Sequence, residues 1–133
     1  MIRIYKYGII CFLATSIILS FSIKSFSEEK IIDTPFLVVS VFLVASTIYD
    51  IETTFAGIRN GAHEANPIMR PFVKSGRPAT YAFAFGMDAL AIGASYFIKK
   101  SGNKDMQKTW WLIPSFMATS HVVCGTLNLR YAW

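Results

Sequence analysis

Residues 35–59 read PFLVVSVFLVASTIYDIETTFAGIR, an apolar run that begins with a proline and ends just before Asn60-Gly61. Proline is tolerated in the first turn of a helix, and a glycine just beyond the last turn accepts the left-handed conformation that ends many helices. The run exceeds the roughly 20 residues that a helix needs to cross a bilayer. We therefore predict a membrane-spanning helix that contains the acids Asp50 and Glu52.

Three further apolar runs cover residues 8–23, 78–98 and 110–129. A backbone in lipid must satisfy its own hydrogen bonds, so these runs predict an all-α fold, a polytopic transmembrane bundle of three to four helices. Residues 35–133 would form a three-helix membrane domain. Residues 1–27 would be a cleaved signal peptide or a first transmembrane helix, since their apolar run is shorter than a typical span.

The composition agrees with a membrane protein. Of 133 residues, 53% are hydrophobic and 16% are charged, against about 25% charged in a typical soluble protein. The net charge is +5, and the basic residues lie beside the apolar runs, where they suit anionic lipid headgroups. We expect the lipid bilayer to be the partner, in the bacterial cytoplasmic membrane, and we expect no nucleic-acid binding.

Three ionisable side chains, Asp50, Asp88 and His121, lie inside three different apolar runs. At about 1.5 Å per residue, each is about 14–16 Å from one end of its helix, near mid-bilayer. Ionisable residues at that depth are costly and mark function by default. Each lies on a stripe of small or polar residues, so we expect the three to meet inside the bundle. There they could bind a divalent metal, relay protons or hold the helices together.

Each of these residues also has a plainer interpretation. The helix could leave the bilayer near Tyr49, which would place Asp50 and Glu52 among the headgroups. His121 could be an ordinary hydrogen-bonded packing residue. For Asp88 a solvated position is harder to accept, because its run is apolar on both sides.

The segment 61–71, GAHEANPIMRP, is the second region of interest. Asn66 followed by Pro67 predicts a helix start, so a short surface helix could cover residues 67–74. Glu64 would then precede the positive end of that helix. Alternatively, Glu64 folds back towards Asp50 and Thr54 and joins a polar site at the mouth of the bundle.

The order Asp50, Thr54, Gly61, Glu64, Asn66-Pro67 resembles the signature of a family of small bacterial and archaeal integral membrane proteins classed as a domain of unknown function. The resemblance implies a compact bundle of about three helices whose polar residues belong to one site. It implies no activity.

We therefore expect a noncatalytic subunit or scaffold with a buried polar cluster, which acts with a membrane-protein partner or as a homo-oligomer. The residues of that cluster would be Asp50, Thr54, Glu64, Asn66, Asp88, His121 and Asn128. No residue is assigned as catalytic, since the chain has no nucleophile motif or phosphate loop. One alternative is a metal-assisted hydrolase acting on a lipid-like substrate, with a divalent metal as cofactor. The other is a proton or ion pathway in a homo-oligomer.

Overall fold

The structure is a computed structural model that describes residues 31–132. Its five helices are α1 (Thr34–Arg59), α2 (Arg70–Lys74), α3 (Arg77–Lys100), α4 (Lys104–Gln107) and α5 (Leu112–Ala132). Three helical segments are long and apolar enough to cross a membrane: α1, α3 and Lys104–Ala132. No strand occurs in residues 31–132, so the predicted all-α membrane bundle is confirmed. The prediction of a signal peptide or first transmembrane helix at residues 1–27 lies outside the described residues.

The ends of α1 follow from local chemistry. The Asp33 carboxylate accepts a hydrogen bond from the Phe36 amide at 3.0 Å and so caps the first turn. At the other end, Gly61 has a φ of +90°, the conformation that glycine adopts without strain. The helix runs without a break past Asp50 to Arg59.

Two predicted helix boundaries are wrong. The surface helix expected at 67–74 begins only at Arg70; residues 67–69 form a turn, because Pro71 has no N–H to extend the hydrogen-bond ladder back to Pro67. The fourth run begins its helix at Leu112 rather than at Trp110. Before it lies the short helix α4, which the sequence did not predict and which Asn103 caps.

The spanning helices place their ends at two opposite faces of the bundle. At one face, the Lys99 side chain of α3 pairs with Asp33 at the start of α1. At the other, the Asn60 side chain donates to the Tyr131 carbonyl at the end of α5 at 3.1 Å. We call these faces the Lys99 end and the Arg59 end. Helices α1 and α5 therefore run parallel, and α3 runs against both.

Helix α5 packs most extensively on α1, because a glycine on each helix removes the side chain that would hold them apart. A Cβ atom at Gly125 would lie 2.6 Å from two ring carbons of Tyr49. A Cβ atom at Gly57 would lie 3.3 Å from that of Tyr131. Small residues are the usual means of close helix contact in membranes.

The interior of the bundle changes in character along its axis. Towards the Lys99 end, the buried side chains are mainly apolar: Phe36, Val39 and Trp110, then Leu43, Ala91 and Ala118. Towards the Arg59 end, the polar Thr47, Asp88, Thr53 and Thr80 are buried together with the apolar Ile51, Ala84 and Val73. The buried serines Ser46 and Ser95 bond back to carbonyls of their own helices.

The outer surface of the spanning helices is apolar. Large exposed hydrophobic residues occur on all three, among them Val41, Leu90 and Phe116. The small and polar residues that share a face with Asp50 on α1 and with Asp88 on α3 are mostly buried, among them Thr47, Gly57, Ala84 and Ser95. On the His121 face of α5, Pro114 and Gly125 are buried and Cys124 is exposed.

Candidate functional site

A direct contact joins Asp50 of α1 to His121 of α5. The imidazole Nδ1 lies 2.8 Å from the Asp50 Oδ2. Both side chains are mostly buried, with 19% of Asp50 and 24% of His121 exposed. Because Nδ1 contacts the carboxylate, the other ring nitrogen, Nε2, is directed away from Asp50.

Asn128 connects the same carboxylate to a hydroxyl one turn further along α1. Its Nδ2 donates to Asp50 Oδ1 at 3.2 Å and to Thr54 Oγ1 at 2.8 Å. Asp50 and Thr54 are four residues apart and His121 and Asn128 seven, so each pair shares one side of its helix. We call these four residues the α1–α5 clamp. Four of the seven residues expected in the cluster are thus in mutual contact.

Asp88 lies at a similar depth but outside the clamp. Only 2% of the residue is exposed, and neither carboxylate oxygen has a hydrogen-bond partner among residues 31–132. The buried Thr47 hydroxyl of α1 lies beside the carboxyl group but outside hydrogen-bond geometry. The structure therefore places Asp88 outside the clamp as a separate buried acid.

Glu64 and Asn66 organise the loop that follows α1. The Glu64 carboxylate accepts from the Asn66 amide at 2.8 Å, and the Asn66 side chain accepts from the Ile68 amide at 3.0 Å. The Arg70 guanidinium donates to the Glu64 carbonyl at 3.1 Å. Asn66 is exposed and acts as a turn former, so it does not reach the clamp.

A cavity of about 280 Å³ opens at the Arg59 end, between this loop and the ends of α1 and α5. Thr54 and Asn128 of the clamp line its inner wall, while Glu64 and His63 line the loop side. The cavity therefore brings Glu64 to the same space as the clamp, although no hydrogen bond joins them in the described residues.

The residues considered as metal ligands do not converge. Within residues 31–132, no group of three or more His, Cys, Asp or Glu side chains has the geometry to hold a metal ion. Asp50 and His121 contact each other, Asp88 lies apart, and Glu64 lies across the cavity. The clamp can hold two helices together by hydrogen bonds or pass a proton between its members. It offers only two groups that commonly bind metals, the Asp50 carboxylate and the His121 imidazole.

A second polar cluster was missed from the sequence. Glu52 accepts two hydrogen bonds from the Arg77 guanidinium, at 2.9 and 3.2 Å, and a third from the Tyr81 hydroxyl at 2.9 Å. These contacts join α1 to α3 at the Arg59 end. The sequence did contain a signal for this contact. Arg77 begins the next spanning helix, which runs antiparallel to α1, so its side chain lies near the end of α1 that contains Glu52.

At the Lys99 end, the sequence did not predict the contacts that the Lys99 side chain makes with two aromatic rings and a carboxylate. Its ammonium lies 4.7 Å from the centre of the Trp110 ring and 5.6 Å from that of Phe36, beside the Asp33 carboxylate. This cation holds the starts of α1 and α5 against the end of α3.

Comparison with known proteins gives a family but no activity. The model of the family described as "Domain of unknown function (DUF5658)" matches residues 41–133. No curated protein and no solved structure matches the chain significantly. The matched range covers well over half of the chain and contains the whole clamp, Asp88 and Glu64. The chain therefore belongs to the DUF5658 family of domains of unknown function.

Proposed function

We propose that this protein is a noncatalytic integral membrane protein, a small subunit or scaffold, whose α1–α5 clamp fixes the position of one spanning helix against another. The observation that supports this proposal most strongly is that the four clamp residues form hydrogen bonds with one another. Both oxygens of Asp50 have partners, His121 and Asn128, and Asn128 also binds Thr54. A buried polar network that is satisfied in this way specifies one packing arrangement.

The position of the cavity supports a structural role. Its volume of about 280 Å³ lies at the lower limit of the roughly 300–1,000 Å³ that is typical of small-molecule sites. Its lining is contributed by helix ends and a surface loop, and it does not extend between the apolar halves of α1 and α5. A lipid-like substrate would find little enclosed space beside the clamp.

We place the protein in the bacterial cytoplasmic membrane. Its described spans are helical, whereas spanning proteins of the bacterial outer membrane are characteristically β-barrels. Separation of the two membranes by density, followed by detection of the tagged full chain, tests this assignment. Recovery with the outer membrane would contradict it.

A scaffold must contact another membrane protein or a second copy of itself. A photoreactive amino acid placed at an outward-facing position of each spanning helix, Val41, Leu90 or Phe116, would report this contact in native membranes. We expect a discrete protein adduct from at least one position. Lipid adducts alone at all three positions would overturn the proposal.

A second test separates structure from chemistry. Asp50→Asn retains the shape of the side chain but removes its charge. If the clamp is structural, the yield of the adduct follows the folded fraction of the variant, as measured by circular dichroism. A variant that folds as well as the wild type yet no longer forms the adduct would contradict a purely structural role of the clamp.

The metal-assisted hydrolase receives no support from the positions of Asp50, Asp88, His121 and Glu64. Metal analysis of the detergent-purified full chain tests this directly. Zinc, iron or manganese at one equivalent per chain, lost in His121→Gln, would replace the scaffold proposal with the hydrolase.

A further inference from the structure

The inner wall of the cavity at the Arg59 end offers a hydrogen-bond acceptor from Asn128. The amide nitrogen of Asn128 donates both of its hydrogens, one to the Asp50 carboxylate and one to the Thr54 hydroxyl. An ionised carboxylate only accepts hydrogen bonds, so the nitrogen must face it. The hydrogen-bonding capacity that Asn128 has left is that of its carbonyl oxygen. Since Asn128 lines the cavity, a ligand there would meet an acceptor.

The loop side of the cavity adds a negative charge. Glu64 is the one acid in the lining, which includes no lysine or arginine. One of its carboxylate oxygens accepts from the Asn66 amide at 2.8 Å. The other oxygen has no hydrogen-bond partner in the part of the chain that the structure describes. A carboxylate with an unused oxygen, facing a space bounded by protein, favours a cationic hydrogen-bond donor.

The helix ends around the cavity carry the same sign of charge. Helices α1 and α5 both end at this face, and the last carbonyls of a helix form its negative pole. The basic residues of the two last turns, Arg59 and Arg130, are exposed and lie outside the lining. The charges and dipoles that border the cavity therefore favour a positive group within it.

A positive charge is fixed just outside the cavity. The exposed Arg70 guanidinium donates to the carbonyls of Glu64 and Ala65, at 3.1 and 3.4 Å, and both of those residues line the cavity. Guanidinium groups bind phosphate well. An acceptor-rich, negative interior beside a cationic rim complements a zwitterion in which a short linker separates an ammonium from a phosphate.

The position of the cavity suggests where such a zwitterion would come from. The cavity opens where two spanning helices end, which is the level of the lipid headgroups. Tyr131, which lines it, is of a residue type enriched at the membrane–water interface. A volume of about 280 Å³ suits a headgroup, whose acyl chains would stay in the bilayer along the apolar outer surface.

We propose that this cavity binds the headgroup of an ethanolamine phospholipid, with the primary ammonium beside Glu64 and Asn128 and the phosphate at Arg70. A primary ammonium donates three hydrogen bonds, which suits the unused acceptors. A choline headgroup has the same charge but no N–H group, so it cannot form those bonds. This site goes beyond the scaffold role and does not require it.

Headgroup preference can be measured by native mass spectrometry of the full chain in detergent. The probes are phosphatidylethanolamine, phosphatidylcholine and phosphatidylglycerol with identical acyl chains. We expect the ethanolamine lipid to bind about tenfold or more tightly than the other two, because hydrogen bonds to a charged group are involved. Equal binding of the ethanolamine and choline lipids, or tighter binding of phosphatidylglycerol, would overturn the proposal.

Glu64→Gln locates the site. The glutamine retains an acceptor for the Asn66 amide but loses the charge, and we expect the preference for ethanolamine over choline to fall by about tenfold. Asp105→Asn, at a highly exposed carboxylate of α4, is the matched control and leaves the preference unchanged. A preference that persists in Glu64→Gln would place the site elsewhere and overturn the assignment. The wild-type comparison decides the headgroup even if the variant fails to fold.

A soluble amine is the other source of a primary ammonium. Free ethanolamine lacks the phosphate that Arg70 would bind, so at the concentration of the lipid we expect it to leave the bound lipid in place. Displacement at equal concentration would assign the cavity to a soluble amine and overturn the lipid assignment. Headgroup preference and partner adducts are separate readouts, so failure of this proposal leaves the scaffold proposal standing, and the reverse.

Discussion

Gly125 of α5 lies against the ring of Tyr49 of α1 so closely that a methyl group at position 125 would approach two ring carbons to 2.6 Å. The same methyl group would lie 3.2 Å from the Asp50 Cα. The clamp therefore depends on a contact in which one helix has no side chain. His121 and Asn128, one turn on either side of Gly125, reach Asp50 because of it.

Gly125→Ala is expected to separate α1 from α5 and to lower the free energy of unfolding by about 1–3 kcal/mol, the usual cost of overpacking. Thermal unfolding in detergent, followed by circular dichroism, measures the change. Gly93→Ala is the matched control, since nothing lies within 4 Å of the added carbon. Equal stability of both variants would mean that the close approach is not required.

Asn128→Ala removes the hydrogen bonds of Asn128 to Asp50 and Thr54 and leaves the contact of His121 with Asp50 in place. Hydrogen bonds between membrane helices contribute about 0.6–2 kcal/mol, so we expect a loss of that order in the same unfolding measurement. Val123→Ala, at an exposed position of the same helix, provides the reference for a truncation outside the clamp. A loss no greater than that of Val123→Ala would show that the clamp adds nothing to stability.

The Glu52–Arg77 pair can be tested by charge exchange. Each of Glu52→Arg and Arg77→Glu places two like charges side by side between α1 and α3, and the double variant restores the attraction. Both side chains are about half exposed, so we expect a coupling energy of about 0.2–1 kcal/mol that decreases with salt. Additive effects in the double-mutant cycle would count against a direct interaction.

Lys99→Gln keeps the length of the side chain approximately but removes its charge from Asp33 and from the Trp110 ring. The Lys99 side chain is mostly buried, at 15% exposure, so loss of the cation–π contact and the ion pair is expected to cost about 1–2 kcal/mol. Tryptophan fluorescence should change together with the unfolding temperature. Lys104→Gln, at an exposed lysine of α4, is the control and should alter neither.

Much of the fold could be predicted from the sequence, because a long apolar run in lipid has few possible structures other than a helix. The bounds of α1 and α3 were predicted to within about two residues by Pro35, Gly61 and Pro78. Helix α4 was missed because a helix of 4 residues has no periodicity to detect. Its only signal was Asn103, a residue suited to capping.

The sequence predicted which residues belong to the site better than it predicted which of them contact one another. Helical spacing placed Asp50 with Thr54, and His121 with Asn128, on shared faces. Which faces meet depends on the rotation of each helix, and that is set by the contact at Gly125, which a single sequence does not reveal. For the same reason the sequence did not show that Asp88 lies outside the clamp.

The apolar layer formed by Leu43, Ala91 and Ala118 also has an electrical consequence. A transmembrane voltage falls mainly across regions of low polarisability. A charge on the buried Asp88, one helical turn from Ala91, would therefore lie within the membrane field.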